Sequence, residues 1–204
     1  MRVILLFSLL FVFIIVFVFL KQKQNILVRE TKEDYRKKVQ YYFKKMYTTN
    51  TKWMNDIIRG NSRDITYYRN KQFIVFKDIK WSNTKSNDFY ILGIPTHTIM
   101  SIRDLRKRDI DLLENMKKKI IQVASSYGLY QNNLAFFFHY LPSVYHLHLH
   151  CCKKDNPYLL NTKKGCYFFD DVIEKLQSDS HYWKNKTFQY SVNQSSPIYR
   201  IMYG

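Results

Sequence analysis

Between Val144 and Cys151 the chain alternates histidine with leucine, as His146-Leu147-His148-Leu149-His150, and this period of two constrains the fold more than any other feature. Successive side chains of a strand point to opposite faces, so the pattern predicts an extended segment with its imidazoles on one side and its leucines in the core. His139 stands shortly upstream, across Leu141-Pro142-Ser143, which reads as a short hairpin connection between strands at 134–140 and 144–151. Four of the six histidines therefore fall in one short stretch of chain.

The segments around this pair of strands supply a sheet and its cover. Apolar runs at 65–68, 73–76 and 89–94, bounded by Asn, Lys, Asp, Gly or Pro, predict further strands. From 104 to 127 the period changes: Ile110, Leu113, Met116, Ile120, Val123 and Ala124 share one face of a long helix that Gly128 would stop. Lys117, Lys118 and Lys119 then face solvent, and a last helix is expected over 170–176. This order predicts a single α+β domain over 51–204, with a mainly antiparallel sheet.

The amino-terminal part has a different character. Residues 3–20 are uncharged and almost wholly apolar, broken only by Ser8, which is long enough to cross a hydrocarbon core as a helix. No small-x-small cleavage pattern follows, so an uncleaved transmembrane anchor over 1–20 is expected rather than a signal peptide. Lysines and arginines crowd the following segment, among them Lys21, Lys23, Arg29, Arg36, Lys37 and Lys38, against Arg2 alone before it. The positive-inside tendency then predicts a single-pass membrane protein with its globular domain facing the cytoplasm. Tyr35, Val39, Phe43 and Met46, at steps of three and four, make 21–50 a basic helical stalk, whose cations would also suit anionic head groups.

Composition narrows the partners without naming one. Thirty-three Lys and Arg against 16 Asp and Glu give a formal charge of +17, which favours phosphates, nucleic acids or acidic surfaces and is equally compatible with compositional drift. The three cysteines, Cys151, Cys152 and Cys166, are odd in number with two adjacent, unlike a secreted disulfide framework, so a reducing compartment fits.

An imidazole row suits phosphoryl chemistry, because the neutral ring is a nucleophile and the protonated ring a charged donor near neutral pH. A merely solvated strand face would not favour histidine three times in succession. Zinc is the stronger rival, but three histidines along one strand span too far to close around one ion. His97, His139, Cys151 or Cys152 would have to complete such a site.

The run from His139 to His150 resembles the active-site strand pair of the scavenger mRNA-decapping enzymes, a branch of the histidine-triad superfamily, whose motif has the form His-Tyr-x-Pro-Ser-x-Tyr-His-x-His-x-His. Asp78-Ile79-Lys80-Trp81 resembles the family's Asp-x-Lys-Trp segment, and Ser101-Ile102-Arg103-Asp104-Leu105 its Ser-x-Arg-Asp-Leu. The stretches Val172-Ile173-Glu174 and 179–182 are similar to its carboxy-terminal portion. The resemblance covers about residues 53–190 and implies a histidine-triad-like fold. It implies hydrolysis of residual 7-methylguanosine caps, on capped RNA fragments or cap dinucleotides left after 3′ to 5′ mRNA decay, without metal or cofactor.

It also implies roles. His148 would attack phosphorus and carry a covalent nucleotidyl intermediate, with His146, His150 and His139 assisting. Lys80 and Ser143 would hold phosphates, Asp78 would read the base edge, and Trp53 would stack on the cationic base. The sequence departs from the family in three places: an anchor and stalk stand where an amino-terminal domain is expected, Lys163-Lys164-Gly165 where an arginine is expected, and Lys77 where a proline is expected. Two other readings stay open, a broader nucleotide hydrolase and a non-catalytic membrane-bound cap or RNA binder. Histidine-triad domains commonly pair, so a homodimer is expected by analogy.

Overall fold

The alternating apolar runs pair into a six-stranded antiparallel sheet in the computed structural model, which describes residues 25–50, 52–79, 81, 88–162 and 165–204. In chain order the strands are β1 (Asn25–Glu30), β2 (Thr66–Arg69), β3 (Phe73–Lys77), β4 (Tyr90–Pro95), β5 (Leu134–His139), β6 (Leu149–Lys153), β7 (Cys166–Phe168) and β8 (Phe188–Asn193). The large sheet has the order β2-β3-β4-β6-β5-β7, and β1 pairs separately with β8. Each adjacent pair in the large sheet is antiparallel.

Register fixes what each face carries. Phe76 opposes Leu92, Leu92 opposes His150, His150 opposes Phe137 and Phe137 opposes Phe168, which makes one row across five strands. The opposite face is apolar and packs on a long helix. The helices are α1 (Gln40–Asn50), α2 (Lys52–Arg59), α3 (Ile110–Ser125), α4 (Pro157–Thr162), α5 (Phe169–Ser178), α6 (Tyr182–Asn185) and α7 (Pro197–Tyr203). Leu113, Met116, Ile120 and Ala124 of α3 are buried, each larger side chain contributing about 1.5–3 kcal/mol by leaving water. Gly93 permits this approach: a Cβ there would lie 3.0 Å from Met116 Cε and 3.2 Å from Ile120 Cδ1.

The expected long helix starts later than 104. Ser101 and Asp104 form a reciprocal cap around the short turn Ile102–Asp104, and a second turn, Lys107–Asp109, precedes α3. The histidine strand differs more. β6 begins at Leu149, so His146 and His148 precede it in an irregular segment rather than lying on a strand with His150. Two distant bonds account for this. Leu147 N–H donates to the Ile99 carbonyl at 2.6 Å, and Tyr140 N–H to the Gly165 carbonyl at 2.9 Å, so the chain between them bows out as a wide loop instead of a tight hairpin.

The stalk expected over 21–50 is also different. Its described part contains β1, the helical turns Lys32–Asp34 and Tyr35–Val39, and α1. Tyr35, Val39 and Phe43 are buried while Arg36, Lys37, Lys38, Lys44 and Lys45 are exposed, so the predicted spacing buries one face of a helix within the same compact unit as the sheet, Arg29–Tyr190. Phe43 stacks on Tyr145 of the histidine loop with centroids 3.7 Å apart. Among the described residues, a second unit comprises 25–28 and Ser191–Gly204. In it, Ser196 caps α7 by accepting from Tyr199 N–H, with Pro197 at the first turn.

The expectation of a single-pass membrane location is withdrawn. No helix among the described residues is long and apolar enough to cross a membrane, and the segment on which it rested, 1–20, lies outside them.

Candidate active site

A cavity of about 430 Å³ lies over the histidine-bearing face of the sheet. It gathers Trp53, Asp78, His139, Ser143, His148 and His150 from five separate stretches of chain. Larger hollows, of about 610 and 670 Å³, lie around Lys117, Phe169 and Asp170 and include no histidine, and one of about 500 Å³ includes His97 alone. Chemistry, not size, singles out the smaller one.

The strands place each imidazole. His150, in the middle of the sheet, is 3% exposed. Its ring lies flat against Phe137, with centroids 5.1 Å apart and planes at 6°, and its Nδ1 shares a hydrogen bond of 3.0 Å with Tyr90 Oη. His139, at the end of β5, and His148 approach the same ring at 4.5 and 4.6 Å. Both are half-buried, open toward the cavity.

His148 Nδ1 lies 2.7 Å from the His146 carbonyl oxygen. A carbonyl can only accept, so Nδ1 carries the proton, and in the neutral ring the lone pair belongs to Nε2. This is the tautomer a nucleophilic imidazole needs. His146 itself is 1% exposed and does not line the cavity. Its Nε2–H donates to the Pro95 carbonyl at 2.7 Å. Burial lowers its pKa below the ordinary value; the Pro95 carbonyl opposes this and the charge of His97 adds to it. It therefore acts here through its backbone, by fixing the ring of His148.

On the β3 side, Asp78 follows the strand directly, is 6% exposed, and its N–H donates to the Tyr90 carbonyl at 3.1 Å. Trp53, on α2, is 41% exposed and meets Phe76 edge-on with centroids 6.2 Å apart. Ser143 is exposed on the loop. Lys80 lies outside the described residues. Asp64 and Tyr158 line the same cavity. Tyr158 carried no signal in the sequence, since nothing in the run Asn156-Pro157-Tyr158 marks it as facing the histidines. Among the described residues there is no group of three or more His, Cys, Asp or Glu side chains arranged to hold a metal ion.

An antiparallel sheet thus carries a cluster of three imidazoles in a cavity over its central strands. The family described as "Scavenger mRNA decapping enzyme C-term binding" matches residues 52–165. The chain belongs to that family. It is 31% identical to an m7GpppX diphosphatase of Caenorhabditis elegans over 84% of this chain and 57% of that protein. With an m7GpppX diphosphatase of Schizosaccharomyces pombe the identity is 32%, over 63% and 43% respectively. A solved HIT family hydrolase from Legionella pneumophila Philadelphia 1 is 25% identical with a TM-score of 0.43, covering 50% of this chain and 90% of that one. The chain spans about half the length of the curated relatives it matches.

Proposed function

We propose that this protein hydrolyses residual 7-methylguanosine caps, on cap dinucleotides or short capped RNA fragments, and releases 7-methylguanosine monophosphate. The observation that carries this reading is the single cavity holding a tautomer-fixed His148 together with Trp53 and Asp78. Membership of the decapping family and the m7GpppX diphosphatase relatives support it.

His148 Nε2 attacks the phosphorus next to the methylated nucleoside, forming a P–N bond as the P–O bond to the nucleoside diphosphate breaks. Water then attacks the same phosphorus, breaks the P–N bond, returns the electron pair to Nε2 and leaves the monophosphate. His150 and His139 donate to phosphate oxygens as charge builds on them, and Ser143 adds a hydroxyl from the loop. Asp78 accepts from the N–H groups on the edge of 7-methylguanine. Trp53 stacks on its positive charge, an interaction worth about 0.5–2 kcal/mol. Lys80 completes the phosphate contacts in this reading, and His146 positions the nucleophile.

The test incubates the full chain with methylated and unmethylated cap dinucleotides, with and without EDTA, beside the His148→Ala variant. Release of 7-methylguanosine monophosphate that tolerates EDTA, prefers the methylated cap and vanishes in the variant is expected. Equal cleavage of both caps would instead mark a broader nucleotide hydrolase, and binding without cleavage a non-catalytic reader. The same reading pairs two copies of the chain, as histidine-triad domains commonly do, and light scattering that returns a monomer at micromolar concentration refutes that part alone.

A further inference from the structure

We infer that Tyr158 is a second stacking platform in this cavity and takes the nucleobase on the leaving-group side of the cap dinucleotide. The inference rests on the cap-hydrolase reading of the same site. A cap dinucleotide carries two bases, one at each end of a triphosphate, and the attacked phosphorus must sit at His148. Each base therefore needs its own surface, to one side or the other of the imidazoles.

The sheet supplies two such places. Trp53 stands at the β3 end of the Phe76-Leu92-His150-Phe137 row, against Phe76. Tyr158 stands instead over the middle of the sheet. Its ring meets Tyr90 of β4 edge-on at 5.6 Å and His139 of β5 at 6.4 Å, so it spans the strand that carries His150. Phe137, the remaining aromatic of the row's centre, is buried and covered by the His150 ring, which leaves it no face for a ligand. Phe168 is exposed but does not line the cavity. Apart from the imidazoles of His139 and His148, Trp53 and Tyr158 are the cavity-lining aromatic rings among the described residues that are not buried.

The backbone of Tyr158 is fixed before any ligand arrives. Asn156 is 6% exposed and its Oδ1 accepts from Tyr158 N–H at 2.9 Å, while Pro157 opens α4 with its φ already helical. A ring held in this way loses little freedom when a base stacks on it. Stacking uses the π-face that every base presents, so the platform tolerates any first nucleotide and ranks them by stacking strength.

The test compares two ligands that share the methylated base and the triphosphate, a cap dinucleotide and 7-methylguanosine triphosphate, which lacks the second base. Dissociation constants are measured in the full chain carrying His148→Asn, so that neither ligand is consumed. Adding Tyr158→Ala is expected to weaken the dinucleotide about tenfold and to leave the triphosphate within about twofold, whereas Tyr158→Phe keeps the ring and restores the dinucleotide. Equal weakening of both ligands, loss in the Phe variant as well, or no binding of either ligand overturns the inference. If the chain with His148 intact cleaves methylated caps but Tyr158→Ala weakens both ligands alike, the platform falls and the cap reading stands. If it cleaves neither ligand yet the Tyr158 difference persists, the hydrolase reading falls and the platform stands.

Discussion

Two polar clusters are built into the same unit, and they are treated in opposite ways. In one, Arg103 donates from Nε and Nη2 to Glu30 Oε1 at 3.0 and 2.5 Å, and from Nη1 to the Lys184 and Lys186 carbonyls at 3.2 and 3.0 Å. Tyr140 and Tyr190 donate to the two Glu30 oxygens at 2.6 and 2.7 Å. Tyr35 and Phe188 stack on the guanidinium at 4.7 and 4.4 Å. Everything in that cluster faces inward, and its carboxylate is fully buried. In the other, the rings of His139, His148 and His150 are held by backbone, hydroxyl and aromatic contacts and turned to a cavity. The first spends its hydrogen-bonding capacity on the fold; the second turns part of it to an open cavity. One link joins them, because Tyr140 of the charged cluster directly follows His139 in the chain.

The largest test of this contrast removes the nucleophile. His148→Asn should lower cap turnover by about 10⁴-fold or more, yet move the unfolding free energy by less than about 1 kcal/mol, because the ring is half-buried and lines a cavity rather than filling a core. Turnover assays beside urea denaturation check both halves. A stability loss as large as the activity loss implies would mean that the imidazoles hold the sheet together, and the contrast would fail.

Glu30→Ala is the mirror experiment. It leaves the Arg103 guanidinium buried without its carboxylate and two tyrosine hydroxyls without their acceptor, which should cost about 3–5 kcal/mol. Denaturant midpoints measure this. A loss below about 1 kcal/mol would show that water enters and that the pair is not the closed cluster the distances describe. Glu30→Gln, keeping an acceptor at the same place, should fall between. A smaller effect is expected on the opposite face of the sheet, where Gly93→Ala must push Met116 and Ile120 away and should cost about 1–3 kcal/mol, leaving the order of cap preference unchanged.

The two clusters were unequally legible in the sequence. The imidazole site could be read because its residues lie close together in a pattern of period two, and the Asp-x-Lys-Trp segment pointed to Asp78. The charged cluster could not: Glu30 and Arg103 are far apart in the chain, and Glu30 falls in a stretch whose exposed cations suggested a stalk. The helical spacing of Tyr35, Val39 and Phe43 was visible, but not what they pack against, since burial of one face depends on a partner such as Tyr145. For the same reason the late start of β6 escaped the period-two reading: a backbone bond from Leu147 to Ile99 overrides local alternation. Tyr158 reaches the cavity through the Asn156 turn, and local sequence gives no clue to it.

The smallest expected effect probes the residue between the two treatments. His146 belongs to the imidazole run but is buried like the charged cluster, and burial lowers its pKa. In the unfolded chain the ring takes a proton as pH falls through about 6.5, while the folded chain resists until the lower value is reached. Between the two values the unfolded state binds more protons, so stability is fully present above the unfolded pKa and declines as pH drops toward the folded one. Urea midpoints between about pH 7.5 and 5.5 should therefore fall on acidification, and His146→Gln, which keeps a donor for the Pro95 carbonyl and cannot titrate, should flatten that fall. An unchanged slope in the variant would mean that His146 is solvated and charged like a surface histidine. It would then belong with the ligand-facing rings, and the line between the two clusters would lie on its other side.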